Sequence, residues 1–238
     1  MEAVLVTGGA GGIGSEIVKE FAEKGFFVYV VDNAPDARQR LSGLGISRWE
    51  LLPADVTDGD ALAQIHGELT RQEVSLKHIV TLAGRAMADE WQSFSLQDIG
   101  QIRRSVEVNL LGHIQVVHTF LDRLQPGKAS VTMISSINAM APFGLPAYSA
   151  AKAGLYGFMT AMVPELGKLG IRINCISPGT VVTPATLKED KDFTALLQTS
   201  PLGCFATAKQ IARTAYLLAE EMPTVTGQNL VVDAGQSC

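Results

Sequence analysis

Residues 3–31 constrain the fold more than any other stretch. Ala3-Val4-Leu5-Val6 is a short, valine-rich apolar run of the kind shown by a strand buried on both faces, and it ends in Thr7-Gly8-Gly9-Ala10-Gly11-Gly12-Ile13-Gly14. Beyond the glycines, Ile17, Val18, Phe21 and Ala22 recur at three- and four-residue steps until Gly25, which predicts an amphipathic helix and its stop. Phe26 to Val31 comes next as a second apolar strand. In this order, the free amides of the helix N-terminus and the positive end of its dipole face a loop whose backbone a phosphate can approach closely. The run is read as a dinucleotide cradle rather than a plain flexible turn, because strand and helix flank it as that mechanism requires. It parses either as Gly9-x-Gly11-x-x-Gly14 or as Thr7-Gly8-x-x-x-Gly12-Ile13-Gly14.

Asp32 closes the second strand 18 residues after Gly14, near where a ribose-binding carboxylate is expected. At ~4 Å such a carboxylate repels a 2′-phosphate by about 1 to 4 kcal/mol as the effective dielectric falls from that of water to ~20, so the expected cofactor is NAD. The competing role for Asp32 is to cap a turn. Arg38 and Arg40 are read as surface residues.

The same alternation continues. Arg48 to Leu52 is a third strand leading to Pro53-Ala54-Asp55-Val56-Thr57, and Thr57-Asp58 can cap a helix over about residues 59 to 73. His78 to Leu82 is a fourth strand, and its end at Ala83-Gly84 makes a small loop able to pass beneath a cofactor. After Ser95 a long helical region carries Ile99, Ile102, Val106, Leu110, Ile114 and Val117, with Asn109 embedded among them and requiring a hydrogen-bond partner. His113 and His118, with no carboxylate or nucleophile matched to them, are read as ordinary helix residues. Ala129 to Ile134 is a fifth strand and delivers Ser135-Ser136 at its carboxyl end, where open α/β sheets bind ligands. Ile171 to Ile176 is a sixth strand, followed by a loop through Pro178, Gly179, Val181 and Thr183 that Pro178 stiffens and Gly179 opens to close approach. Residues 185–207 read as a lid over the substrate. A helix over about 208–220 and a strand at Asn229 to Val232 finish the chain.

Tyr148 and Lys152 lie four apart among alanines, so they should share one helical face. Alone, such a pair is usually a phenol beside a snorkelling lysine. Beside a strand end that offers two serines, it becomes a candidate acid–base group, with the ammonium expected to lower the phenol pKa well below ~10.

Composition narrows the partners. With 238 residues, 47% of them hydrophobic, the chain can bury a substantial core and reads as one domain, 1–238. A net charge of −5 and the lack of a basic cluster argue against nucleic acid and an anionic membrane. No apolar run approaches the ~20 residues of a membrane span. Met1-Glu2 leads straight into the first strand with no secretory pattern, so the expected location is cytoplasmic. Cys175, Cys204 and Cys238 have no ligand-like spacing, and no metal is expected.

Over essentially its whole length the chain resembles the short-chain dehydrogenase/reductase superfamily. Thr7-Gly8-x-x-x-Gly12-Ile13-Gly14 looks like that family's cofactor loop, Asp55-Val56 like its adenine contact, and Asn109 like its active-site asparagine. Tyr148-x-x-x-Lys152 looks like its catalytic pair, and Pro178-Gly179 through Thr183 like its nicotinamide loop. The resemblance implies an α/β fold: a single doubly wound parallel sheet (Rossmann fold) of about seven strands with helices on both faces. It also implies a nicotinamide cosubstrate, an alcohol or carbonyl substrate and a homotetramer or dimer. Ser136 lies 12 residues before Tyr148, one fewer than is common in the family, a count that would point to Ser135; but Ile134-Ser135-Ser136 aligns with a family Ile-Ser-Ser in which the second serine acts, and the reading is Ser136 with a following loop one residue shorter. By the same resemblance Ser136 donates to the substrate oxygen and Tyr148 exchanges the proton. Lys152 tunes the phenol and holds the nicotinamide ribose, and Asn109 positions a relay water. Thr81-Leu82-Ala83-Gly84 departs from the usual Asn-Asn-Ala-Gly, so a structural amide is missing there. Two other readings stand beside an NAD-linked alcohol dehydrogenase: a ketoacyl-carrier-protein reductase using NADPH, and a dinucleotide-binding scaffold without turnover. Phe143, Leu145 and the leucines of 185–207 suggest an apolar, uncharged substrate.

Overall fold

The computed structural model describes residues 2–183 and 193–238. In chain order the elements are β1 (Ala3–Thr7), α1 (Gly12–Glu23), β2 (Phe27–Asp32), α2 (Ala37–Ser42), β3 (Trp49–Pro53), α3 (Gly59–Arg71), β4 (Leu76–Thr81), α4 (Ile99–Val106), α5 (Gly112–Phe120), β5 (Ser130–Ile134), α6 (Pro146–Lys168), β6 (Arg172–Pro178), α7 (Phe193–Gln198), α8 (Ala208–Tyr216) and β7 (Asn229–Val232). The strands form one sheet in the order β3-β2-β1-β4-β5-β6-β7, with every pairing parallel. The order reverses between β1 and β4, so the crevice of a doubly wound sheet opens at their carboxyl ends.

Period-two alternation divides the core. Val4, Val6, Val28, Val30 and Val80 face one side, where Ile17, Val18 and Phe21 of α1 and Ile211, Ala212 and Ala215 of α8 cover them. Leu5, Tyr29, Val31, Ile79, Val131 and Met133 face the other, under Leu62, Ile65 and Leu69 of α3, Val116, Val117 and Phe120 of α5, and Leu155 and Met159 of α6. The inner strands β1, β2, β4, β5 and β6 are buried on both faces, whereas β7 at the edge leaves Val231 exposed.

Three expectations shift. The fourth strand is Leu76–Thr81, two residues earlier at its start than read, because Leu76 is buried and pairs with Ala3. The long helical region is interrupted: between α4 and α5 a π turn, Glu107–Leu111, takes up one more residue than an α turn would. A second π turn, Leu217–Glu221, ends the segment after α8. Of the expected lid, residues 185–192 lie outside the described residues, while 193–207 contain α7 and a bridge between Val181 and Ala206. Among the described residues no helix is long and apolar enough to cross a membrane.

Candidate active site

Ser135 and Ser136 leave β5 in opposite directions. Ser135 Oγ donates to the Lys152 carbonyl at 2.9 Å and is buried. Ser136 Oγ donates to Asn138 Oδ1 at 3.1 Å, accepts from Asn138 N at 3.2 Å and hydrogen-bonds Tyr148. Helix α6 brings the tyrosine there. Pro146, with its fixed φ and no N–H to lose, opens the helix after Leu145, which adopts a left-handed φ of 56° to turn the chain inward. Tyr148 therefore sits in the first turn and Lys152 one turn below. The Lys152 Nζ is buried, donates to Ile134 O at 2.9 Å and lies 5.7 Å from the Tyr148 ring centroid.

The expected lowering of the phenol pKa by Lys152 is not what this geometry produces. Burial pushes Tyr148 up to about 12, the Ser136 bond opposes the rise, and the Glu90 carboxylate adds to it. Burial pulls Lys152 down to about 7. The ammonium is turned toward the Ile134 carbonyl, so it lends the phenol little field. At neutral pH Tyr148 is a phenol carrying its proton, beside a serine hydroxyl, with its ring still partly open to solvent.

Asn109 occupies the middle of the first π turn and is fully buried. Its Nδ2 donates to Arg85 O at 2.9 Å and to Ser105 O at 3.0 Å, while Oδ1 is buried with no donor among the described residues. A buried amide oxygen left so is a natural partner for a bound water. Gly84 passes directly in front of it: with φ at 143°, a Cβ there would stand 2.3 Å from Asn109 Oδ1. Ala83 abuts the glycine loop, since a Cβ on Gly8 would come within 2.9 Å of Ala83 Cα. Thr7 Oγ1 ties the two strand ends by accepting from Leu82 N at 3.2 Å and Ala83 N at 3.3 Å.

The glycine loop fits a dinucleotide. Gly14 is so close to the loop that a Cβ would lie 2.1 Å from Gly8 O, and the N-cap of α1, Gly11, offers no side chain to the first-turn amides of Gly12, Ile13 and Gly14. Those amides are the donors a pyrophosphate needs. Asp32 Oδ2 accepts from Ala10 N at 2.8 Å and Oδ1 from Ala34 N at 2.9 Å. It thus caps the loop as well as marking the strand end, and each oxygen keeps a lone pair for a ribose hydroxyl. Arg40, read as a surface residue, pairs with Asp36 and brings Nη1 to 3.4 Å from Ala10 O. The Asp55 carboxylate is held low by Thr57 and Arg104: it accepts from Thr57 N and Oγ1, Asn33 Nδ2 and Arg104 Nη2, the last at 2.6 Å. Val56 packs under Gly112, where a Cβ would meet Val56 Cγ2 at 2.6 Å. On the far rim Gly12 touches Thr183, and Thr180 N donates to Gln236 Oε1 at 2.7 Å. Asp233 caps the turn that carries Gln236, and both residues crowd Gly179, where a Cβ would stand 2.6 Å from each.

Three of these residues escaped the sequence reading. Gln236 and Asp233 belong to a tail with no periodicity to flag it. Glu90, buried in a 3-10 turn at Ala88–Trp91, has its pKa raised chiefly by burial, and no pattern marks it. His113 did carry a signal, its four-residue spacing from Asn109.

A family model described as Enoyl-(Acyl carrier protein) reductase matches residues 8–237. The chain is 31% identical to L-fucose dehydrogenase from Bos taurus, over 98% of this chain and 88% of that protein. It is 30% identical to (+)-borneol dehydrogenase 1 from Salvia officinalis, over 99% and 94%. Among solved structures, an oxidoreductase of the short chain dehydrogenase/reductase family from Burkholderia thailandensis superposes with a TM-score of 0.89 at 30% identity, over 99% of this chain and 92% of the other.

Proposed function

Because the chain belongs to the short-chain dehydrogenase/reductase superfamily, we propose that it interconverts a secondary alcohol and a ketone on a small, uncharged substrate, with NAD(H) as cosubstrate. The observation that carries this reading is the meeting of Ser136, Tyr148 and Lys152 at the carboxyl end of β5, on the same edge of the sheet as the glycine loop. A binding scaffold needs the loop and has no use for a phenol hydrogen-bonded to a serine above a buried lysine.

The nicotinamide, when bound, supplies or takes the hydride. The chain's own residues manage the proton and the orientation. Ser136 Oγ, fixed by Asn138, points the substrate oxygen toward the Tyr148 hydroxyl. Tyr148 gives its proton to that oxygen in reduction and takes it in oxidation. With the phenol pushed up to about 12, Tyr148 holds its proton at neutral pH, the form that can give a proton to a carbonyl in reduction. Asn109 Oδ1 would hold a water on the inner side, and Lys152 would hold the nicotinamide ribose. Asp32, at the end of β2 with a lone pair left on each oxygen, supports the choice of NAD(H), since a 2′-phosphate beside it would meet a like charge. The oxidised nicotinamide ring carries a positive charge that would lower the phenol, so alcohol oxidation should gain with rising pH.

The experiment is to follow reduced-nicotinamide absorbance over a panel of ketones and alcohols, with NAD(H) and NADP(H) in parallel. NAD(H) should give the higher kcat/KM, and Tyr148→Phe should lower turnover by about 10² to 10⁴, the usual worth of a positioned acid–base group, with the fold and NAD(H) binding kept. Equal or better use of NADP(H) would overturn the cofactor assignment, and near-native turnover by Tyr148→Phe would overturn the mechanism.

A further inference from the structure

We infer that His113 is a positioning residue for the Ala83-Gly84 loop, taking the place of the side-chain amide that Thr81-Leu82 fails to supply. The inference rests on the reading that this loop floors the cofactor site. His113 is 1% exposed and lies on α5, directly under the end of β4. Its Nε2 is 2.9 Å from Ala83 O and its Nδ1 is 2.8 Å from Thr81 Oγ1. A carbonyl only accepts, so Nε2 carries the hydrogen and donates to Ala83. Nδ1 is then an acceptor, and the Thr81 hydroxyl donates to it. The ring spans two residues of one strand end and leaves neither of its nitrogens unpaired.

The loop that the ring holds has no freedom to spare. Ala83 touches the Gly8 turn, and Gly84 touches Asn109 Oδ1, so a shift of a few tenths of an ångström moves either the phosphate cradle or the asparagine. Thr7 holds Leu82 N and Ala83 N from the β1 side, and His113 holds Ala83 O from the helix side. Together they fix both polar groups of Ala83. The device needs a neutral ring, since an imidazolium would have two donors and would confront Thr81 with a proton. Burial and the nearby Lys152 charge both disfavour that form and hold the His113 pKa well below its ordinary value.

The test uses the full chain carrying His113→Phe, His113→Gln or Thr81→Val. It reads amide exchange at Leu82 and Ala83 in the free protein, and NADH affinity by nicotinamide fluorescence. His113→Phe fills the space without either bond: exchange at those two amides should rise about tenfold, and the NADH Kd should rise about fivefold or more. His113→Gln, which can still donate to Ala83 O, should fall within about threefold of the parent on both measures. Thr81→Val removes only the Nδ1 contact and should act in the same direction, more weakly, and it decides the matter if His113→Phe does not fold. Exchange and Kd within twofold of the parent in His113→Phe and Thr81→Val, whatever the change in Tm, would reduce His113 to core packing and overturn the inference. If the parent itself binds no NADH, the functional reading fails, while the exchange rates still judge the tether.

Discussion

Adjacent serines at the end of β5 face different partners, and replacing each should tell them apart. On the proposed mechanism Ser136→Ala loses a preorganised donor to the substrate oxygen, and it should lower kcat by about 10² to 10³ with NAD(H) binding kept. Ser135→Ala instead breaks a buried bond to the Lys152 carbonyl, costing about 1 kcal/mol of stability by thermal unfolding, with turnover per folded molecule little changed. The reverse pattern would move the donor one residue back. The two serines differ in their hydrogen bonds: Ser135 Oγ donates to the Lys152 carbonyl, whereas Ser136 Oγ lies against Tyr148. Lys152 allows a second test, through the pH dependence of stability. Its pKa falls from about 10.5 to about 7 on folding, so between those values the unfolded chain binds the proton more tightly, and the folded state gains stability as pH rises. Lys152→Met abolishes this linkage. Measured by denaturant unfolding, the variant should gain on the parent near pH 7 and lose ground steadily toward pH 10, by about 1.4 kcal/mol per pH unit across the window. A stability difference flat in pH would mean that the ammonium is solvated. The i, i+4 spacing brought Tyr148 and Lys152 to one place, but their pKa values were not legible, because desolvation depends on everything packed around them.

At the scale of elements, periodicity carried most of the reading. All seven strands lie within a residue or two of where apolar runs placed them, although Lys77 and His78 in β4, Ser130 and Thr132 in β5 and Arg172 and Asn174 in β6 interrupt those runs. The π turn at Glu107–Leu111 was not legible, because one added residue barely disturbs a pattern of apolar positions. Its effect on the site is large. With the turn in place, Asn109 Nδ2 bonds Ser105 O, Val56 lies under Gly112, and His113 reaches the loop after β4. Deleting Leu111, an exposed residue of the turn, should convert it to plain α-helix and close the bulge in which Asn109 sits. We expect a variant that keeps most of its helical circular dichroism but binds NADH at least tenfold more weakly. Unchanged binding would show that the turn is incidental to the site.

Across the whole molecule, fold class followed from the alternation of strands and helices, whereas the fit between separated pieces did not. Nothing in residues 233–237 announced that Gln236 would accept from Thr180 N, 56 residues earlier in the chain. Such fits depend on shape that only the folded chain creates. The exposed apolar side chains of Trp91, Phe94, Leu96, Ile99 and Leu111 flank or lie on the α4 to α5 region, and the resemblance places the assembly of such chains on their long helices. Light scattering should accordingly report a dimer or tetramer, and a mass near 25.3 kDa would sink that expectation. The strand order also imposes a timetable. As the chain leaves the ribosome, β1, β2 and β3 can join outward in one direction, and the sheet then resumes from β1 in the other. Until residues 76–81 arrive, β1 keeps one edge of unpaired amides along Val4-Leu5-Val6. The nascent chain is therefore most prone to aggregate in that interval, and the strand that ends it also builds the second wall of the crevice.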